Sequence, residues 1–296
     1  MAELVAVVAG ATRGCGRAIA VELGAIGATV YAAGRTTRAS ASPMNRPETI
    51  EDTAELVTKA GGHGIAVRCD FTVQADVADL RSRLDRLDVL VNDVWGGDPF
   101  VEHGTPFWES DVDAAIAVHR NGIETHLRAL HTLLPLMVEQ GKGLVVEVTD
   151  GDDETYHGVA LPYYLVKSGI RRTAQAMGAQ LTAHGITALA LTPGYIRSEA
   201  MLEGMGVTEE NWRDATAQDI HFAMAESPHH IGRAVAALAR DPEVNRWSGQ
   251  SLSSWSLMRE YGFTDVDGTR PDWGRWFADI FGKGLDPHTV NPDDYR

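Results

Sequence analysis

Two cysteines in 296 residues, Cys15 and Cys69, are too few for a disulfide framework. Cys15 falls inside a glycine-rich turn, so a reducing compartment is expected. Long apolar runs are also missing: no stretch approaches the roughly 18 residues that span a bilayer. The N-terminal "MAELVAVVAG" carries an acid at position 3, a short apolar run and then a turn. A signal peptide needs a basic start and a longer apolar core, so a cytoplasmic protein without a membrane partner is expected. Positive charge is scarce, with 26 Lys and Arg against 41 Asp and Glu, a formal net charge of −15. That balance argues against nucleic acid and anionic membranes as partners. Eleven histidines are present, but neither His119, His126 and His131 nor His229 and His230 have metal-ligand spacing, and no Cys pair accompanies them. No metal is expected, and the histidines read as surface or helix residues. No G-x-S-x-G elbow occurs, which excludes an α/β-hydrolase reading.

What is present is a rhythm. Short apolar segments at 4–9, 28–33, 64–69, 87–92, 143–149, 186–192 and, more weakly, 249–254 alternate with longer helix-like segments. The latter lie at 15–26, 48–60, 74–86, 109–140, 162–183 and 228–239. Strands that alternate with helices and lack hairpin turns predict a parallel sheet covered on both faces. The expected fold class is α/β: a doubly wound, Rossmann-like fold with a seven-stranded parallel sheet flanked by helices. One domain over 1–256 is expected, with a polar, Met-containing insertion at about 197–227. Residues 257–296, with Trp273 and Trp276, form an extension expected to pack on the domain or on a neighbouring subunit. The insertion reads either as a substrate lid or as ordinary packing.

The first strand runs into "AGATRGCGRAIAVEL", with glycines at 10, 14 and 16. Glycines there let the backbone turn sharply and approach a pyrophosphate, which then rests on amide N–H groups at a helix N-terminus. The second strand ends "YAAGRTTRAS", without an acid for a ribose 2′-hydroxyl and with Arg35 and Arg38. Arg13 lies within the turn itself. Guanidinium groups bind phosphate through paired hydrogen bonds, so NADP is the expected cofactor.

At this point the sequence resembles the short-chain dehydrogenase/reductase family over roughly residues 3–255. The resemblance is carried by "AGATRGCG", "CDFT", "LDVLVNDVWGG", the Tyr163 and Lys167 pair, and "TPGYIRS". It implies reversible hydride transfer between a nicotinamide and a carbonyl or alcohol in a homodimer or homotetramer. It also implies cofactor contacts from Gly10, Thr12, Arg13, Gly14, Cys15, Gly16, Arg35, Thr36, Asp70, Phe71, Asn92, Lys167, Pro193, Gly194 and Ile196. By the same resemblance Tyr163 is the general acid and base, while Lys167 holds the nicotinamide ribose and lowers the phenol pKa. The residues agree, since an i, i+4 pair shares one helix face and a nearby cation favours a phenolate. Tyr164 is out of phase and reads as packing. The substrate expected is a small or medium apolar carbonyl or alcohol.

Two positions depart from the family pattern. Its third catalytic residue, a Ser thirteen before the Tyr, is here Asp150, with Thr149 beside it. The family's Asn has one candidate, Asn121, although counting back from "LLPLM" arrives at Gly122. An ionised carboxylate donates no hydrogen bond and repels an alkoxide. Asp150 could be protonated and donate, or Thr149 or Thr155 could supply the hydroxyl. Alternatively the substrate could be an imine or iminium, or the chain could be a silent NADP-binding sensor or scaffold. Asp152, Asp153 and Glu154 read as a solvated rim.

Overall fold

The pleat of a strand sends successive side chains to opposite faces, and here both faces are apolar. In β1 (Val5–Ala9), Ala6 and Val8 enter one core, and Val7 and Ala9 enter another. The computed structural model describes residues 4–42 and 44–296; Glu3 lies outside them. The other strands are β2 (Thr29–Gly34), β3 (His63–Arg68), β4 (Val89–Asn92), β5 (Gly143–Val148), β6 (Ile186–Thr192) and β7 (Ser251–Ser253). All pair in parallel, in the order β3-β2-β1-β4-β5-β6-β7.

One core lies under α1 (Gly14–Ala25), α2 (Ile50–Ala60) and the helix at Pro228–Arg240. The second lies under α3 (Gln74–Ser82) and α5 (Thr125–Gln140); α4 (Val112–His119) precedes α5 and packs through Val118 against Val166 and Ile170. The sequence pattern predicts one helix over 109–140, but the chain divides it. A π-helical stretch, Arg120–Glu124, joins α4 to α5 and adds one residue to the turn. The remaining helices are α6 (Leu161–Leu181), α7 (Glu199–Gly204), α8 (Pro228–Arg240), α9 (Ser254–Tyr261) and α10 (Trp273–Phe277). No described helix is long and apolar enough to cross a membrane.

Consecutive strands run outward from β1 to β3, and the chain then crosses back to place β4 on the other side of β1. A crevice opens at the C-terminal ends of strands where the winding reverses. Here it is narrow at its base. A Cβ on Gly10, whose φ is +90°, would stand 2.3 Å from the Asp93 carbonyl oxygen after β4. A Cβ on Gly16 would stand 2.4 Å from the Gly10 carbonyl. The glycine turn is thus wedged between β4 and its own helix.

The C-terminal extension lies against the same end of the sheet. Trp276, Ile280 and Tyr295 form a small core with Met224. Arg296 donates to the Ala223 and Ala225 carbonyls and pairs with Asp267.

Because the backbone, not a flexible side chain, blocks the space at Gly16, Gly16→Ala is expected to destabilise the protein by about 1–3 kcal/mol. A thermal melt of the purified variant checks this, with a drop on the order of 2–8 °C expected.

Candidate active site

Two spaces meet at Tyr163. The first is a cleft of about 410 Å³ at the crevice between β1 and β4. The second is a wider chamber of about 1240 Å³ beneath the C-terminal extension. Tyr163, Pro193 and Ile196 line both.

The cleft gathers most of the residues that the sequence nominates for a cofactor. Gly10, Thr12, Arg13, Gly14, Cys15, Arg35, Thr36, Asp70 and Phe71 line it, as do Asn121, Thr149 and Lys167. Both cysteines are free. Three nominated residues lie elsewhere. Gly16 packs against the glycine turn, and Gly194 faces the chamber. Asn92 is fully buried and donates to Glu147 Oε1 at 2.7 Å, so it belongs to the sheet interior and not to the cleft. The reason is register: Asn92 and Glu147 are paired positions on β4 and β5, and the pleat points both to one side. Arg38 also stands apart, tied to Asp52 and Glu55 on α2.

Sequence reasoning missed several lining groups. Arg46 reaches the cleft from the loop before α2, pairing with Glu48 and Glu203. Glu48 also stands 3.6 Å from Arg13. From α7, Glu199 sets its carboxylate on the Gly14 N–H, at 3.0 and 3.3 Å. An anion therefore already occupies the start of α1, where unpaired amides and the helix dipole favour negative charge. Trp95 stands edge-on to Tyr163, with centroids 5.5 Å apart. The Lys167 ammonium lies 4.7 Å over the Trp95 ring and 5.6 Å over that of Tyr163.

Beneath the cleft, His126 is a helix histidine, as expected, and one whose side chain faces the interior. It is buried, with Nδ1 2.6 Å from Glu147 Oε2 and Nε2 3.1 Å from the Val94 carbonyl. A carbonyl only accepts, so Nε2 carries hydrogen. This buried bond fixes the segment after β4 that walls the cleft.

The acidic preface to Tyr163 is not a uniform rim. The Tyr163 hydroxyl donates to Asp150 Oδ2 at 2.8 Å. Asp150, Asp152 and Asp153 line the chamber, and burial pushes the Asp152 carboxyl up. Glu154 is exposed and pairs with Arg172. Thr149 is buried, and its hydroxyl donates to the Lys167 carbonyl at 2.8 Å, so its proton is engaged away from either space. Thr155 is exposed and bonded to Asp153. Neither threonine stands in for the expected serine; Asp150 holds that position.

The phenol itself departs from expectation. Burial, then the Asp150 carboxylate and more weakly Asp98, push its pKa well above the usual range. Lys167 does not offset this, because burial disfavours the phenolate and a hydrogen bond to a carboxylate holds the proton on the phenol. Asn121 lines the cleft, with its side-chain amide donating to the Ala117 carbonyl at 2.9 Å. The π turn explains the displaced count, since Gly122 instead packs under Trp95 and Val166.

Asp93 follows β4 and accepts a bond from the Gly16 N–H. Burial raises its carboxyl to about 7 against the opposing pull of Lys167 and His126. A carboxyl whose folded pKa lies above its unfolded value binds a proton that the unfolded chain releases. Stability therefore falls as pH rises from about 4 to about 7. Asp93→Asn is expected to remove that slope. The variant should melt higher than the parent at about pH 8, with the gap closing near pH 4 in paired thermal scans.

A short chain dehydrogenase model matches residues 4–205. Dehydrogenase/reductase SDR family member 1 of Mus musculus is 34% identical over 273 residues, covering 89% of this chain and 83% of the relative. The Homo sapiens protein of the same name is 32% identical over the same coverage. A solved variant of actinorhodin polyketide ketoreductase with NADPH is 24% identical, covers 85% of this chain and 95% of its own, and superposes with a TM-score of 0.69. That last likeness concerns the fold.

Proposed function

The chain belongs to the short chain dehydrogenase family, and on that premise we propose an NADP(H)-dependent oxidoreductase acting on a small or medium apolar carbonyl or alcohol. The observation that carries this reading is Tyr163 on the shared wall of two spaces, one suited to a dinucleotide and one to an organic substrate.

The cleft fits such a cofactor on its own chemistry. Gly10 brings backbone against backbone with no room for a Cβ, and the Gly14 N–H already donates to an anionic partner, the Glu199 carboxylate. At the end of β2, Arg35 and Thr36 line the cleft, with Arg13 and Arg46 across it. Arg46 and Arg13 share Glu48, which leaves Arg35 as the guanidinium best placed for a 2′-phosphate. When bound, the nicotinamide supplies or accepts the hydride. Everything else falls to this chain: Lys167, Thr12 and the glycine turn hold the cofactor, and Tyr163 exchanges the proton. The homo-oligomer and the cytoplasmic setting remain part of this proposal.

The chamber supports an apolar substrate body. Tyr195, Met201, Trp255, Trp273 and Phe277 line it, the last three from beyond β7. Its cations are mostly engaged, Arg259 with Asp272 and Lys283 with Asp279. Asp150 is turned onto the phenol, which favours the carbonyl and alcohol reading over the iminium one. Relatives that are named as dehydrogenases and reductases favour an enzyme over a silent sensor.

Purified protein mixed with NADPH or NADH and a panel of ketones, quinones and cyclic imines tests the reading. NADPH oxidation is expected with apolar ketones, and tight NADPH binding without oxidation of any member overturns it. Tyr163→Phe should lower kcat/KM about 10²–10⁴-fold, the usual worth of a positioned proton donor. In direct titration, Arg35→Ala should weaken NADPH about 10–100-fold and leave NADH nearly unchanged.

A further inference from the structure

We propose that Asp150 is the proton store behind Tyr163, so that protons pass between substrate and chamber solvent through a phenol-to-carboxylate relay. The inference rests on the oxidoreductase reading above and adds the path that the proton takes. Three observations carry it. The phenol donates to Asp150 Oδ2 at 2.8 Å, so the proton is already aimed at the carboxylate. Asp150 lines the wide chamber but not the cofactor cleft, so it has an outlet to solvent. The neighbouring hydroxyl, Thr149, is bonded to the Lys167 carbonyl and offers no competing route.

In the oxidative direction the substrate O–H breaks and its proton goes to the phenol oxygen. In the same movement the phenol O–H breaks and its proton goes to Asp150. The carbinol C–H bond breaks with its electron pair, for which oxidised nicotinamide is the acceptor, and the C=O bond forms. Asp150 then releases one proton to the chamber. Reduction is the reverse, with the chamber solvent supplying the proton through Asp150 to the phenol. A serine at this position would donate to the substrate oxygen but would not store the proton. A carboxylate does the opposite. Asp150 acts through Tyr163 and is a positioning residue in this sense.

Several charged groups face the pair. Lys167 comes from α6, Asp98 from the segment after β4, and Asp152, Asp153 and His157 from the loop that carries Asp150. Arg259, Asp272, Arg275, Asp279 and Lys283 close the chamber from the C-terminal side. The oppositely charged members of that last group are largely paired with one another.

The test compares the parent with Asp150→Asn and Asp150→Ser. Asp150 is an exposed loop residue, so folded variants are expected, with melting and NADPH binding as controls. The first readout needs no turnover: ultraviolet titration of tyrosine ionisation, with Tyr163→Phe identifying the signal among seven tyrosines. Removal of the carboxylate should move the Tyr163 ionisation down by about one to two pH units. The second readout is kcat/KM for oxidation of a secondary apolar alcohol against pH, with 1-phenylethanol as the probe. The parent should oxidise it at neutral pH. The asparagine variant should lose about tenfold or more there and recover only at alkaline pH, where the phenol ionises without a store. A purely structural role would lower the rate equally at every pH. Uniform loss, superimposed profiles or an unmoved phenol titration overturns the relay while leaving the oxidoreductase reading intact. A parent that turns over no alcohol or ketone refutes that reading, and the relay falls with it.

Discussion

The contact on which the site depends is the approach of the turn after β1 to the turn after β4. Gly10 meets the Asp93 carbonyl with no room for a Cβ, and Gly16 closes the same gap from the helix side. This wedge follows from the crossover that places β4 beside β1. It fixes where α1 begins, and hence where its free amides point. It also brings Asp93 under the glycine turn and leaves Trp95 in position to meet Tyr163. The buried His126 and Glu147 pair holds the far side of that segment through the Val94 carbonyl. Close backbone packing and a buried side-chain hydrogen-bond pair therefore set the geometry together.

Much of the fold was legible because a parallel sheet buried on both faces writes itself as apolar runs. The seven strands lie within two residues of where those runs place them. The division of the helix expected over 109–140 was not legible, since a π turn leaves the apolar pattern almost unbroken while shifting every residue that precedes it. That shift is why the count fell on Gly122 while Asn121 lines the cleft. Asn92 misled for another reason: a motif names a residue but not the side to which its strand turns it. Arg46 and Glu199 lay beyond reach, because each comes from a distant loop or short helix that only the tertiary fold brings to the cleft. The Tyr163 and Lys167 pair was plain from spacing, whereas the orientation of the phenol toward Asp150 needed coordinates.

The C-terminal extension changes what the sheet end can hold. Without it, the space next to Tyr163 would open as a shallow surface. Trp273 and Phe277 give that space an aromatic wall, and the bonds of Arg296 to the Ala223 and Ala225 carbonyls tie the wall to the segment before α8. Pocket shape and the stability of the last forty residues are thus one property. Substitutions that loosen the Trp276 and Tyr295 core act on the chamber even though neither side chain lines it.

The Glu199 carboxylate on the Gly14 amide has a thermodynamic meaning of its own. A phosphate arriving at that amide does not fill a vacant position; it exchanges one anion for another. The affinity measured there is a difference between two bound states, and part of the helix-terminus attraction cancels. The displaced carboxylate belongs to α7, whose Ala200 lines the cleft and whose Met201 lines the chamber. One short helix thus walls both spaces and holds the anion at the start of α1.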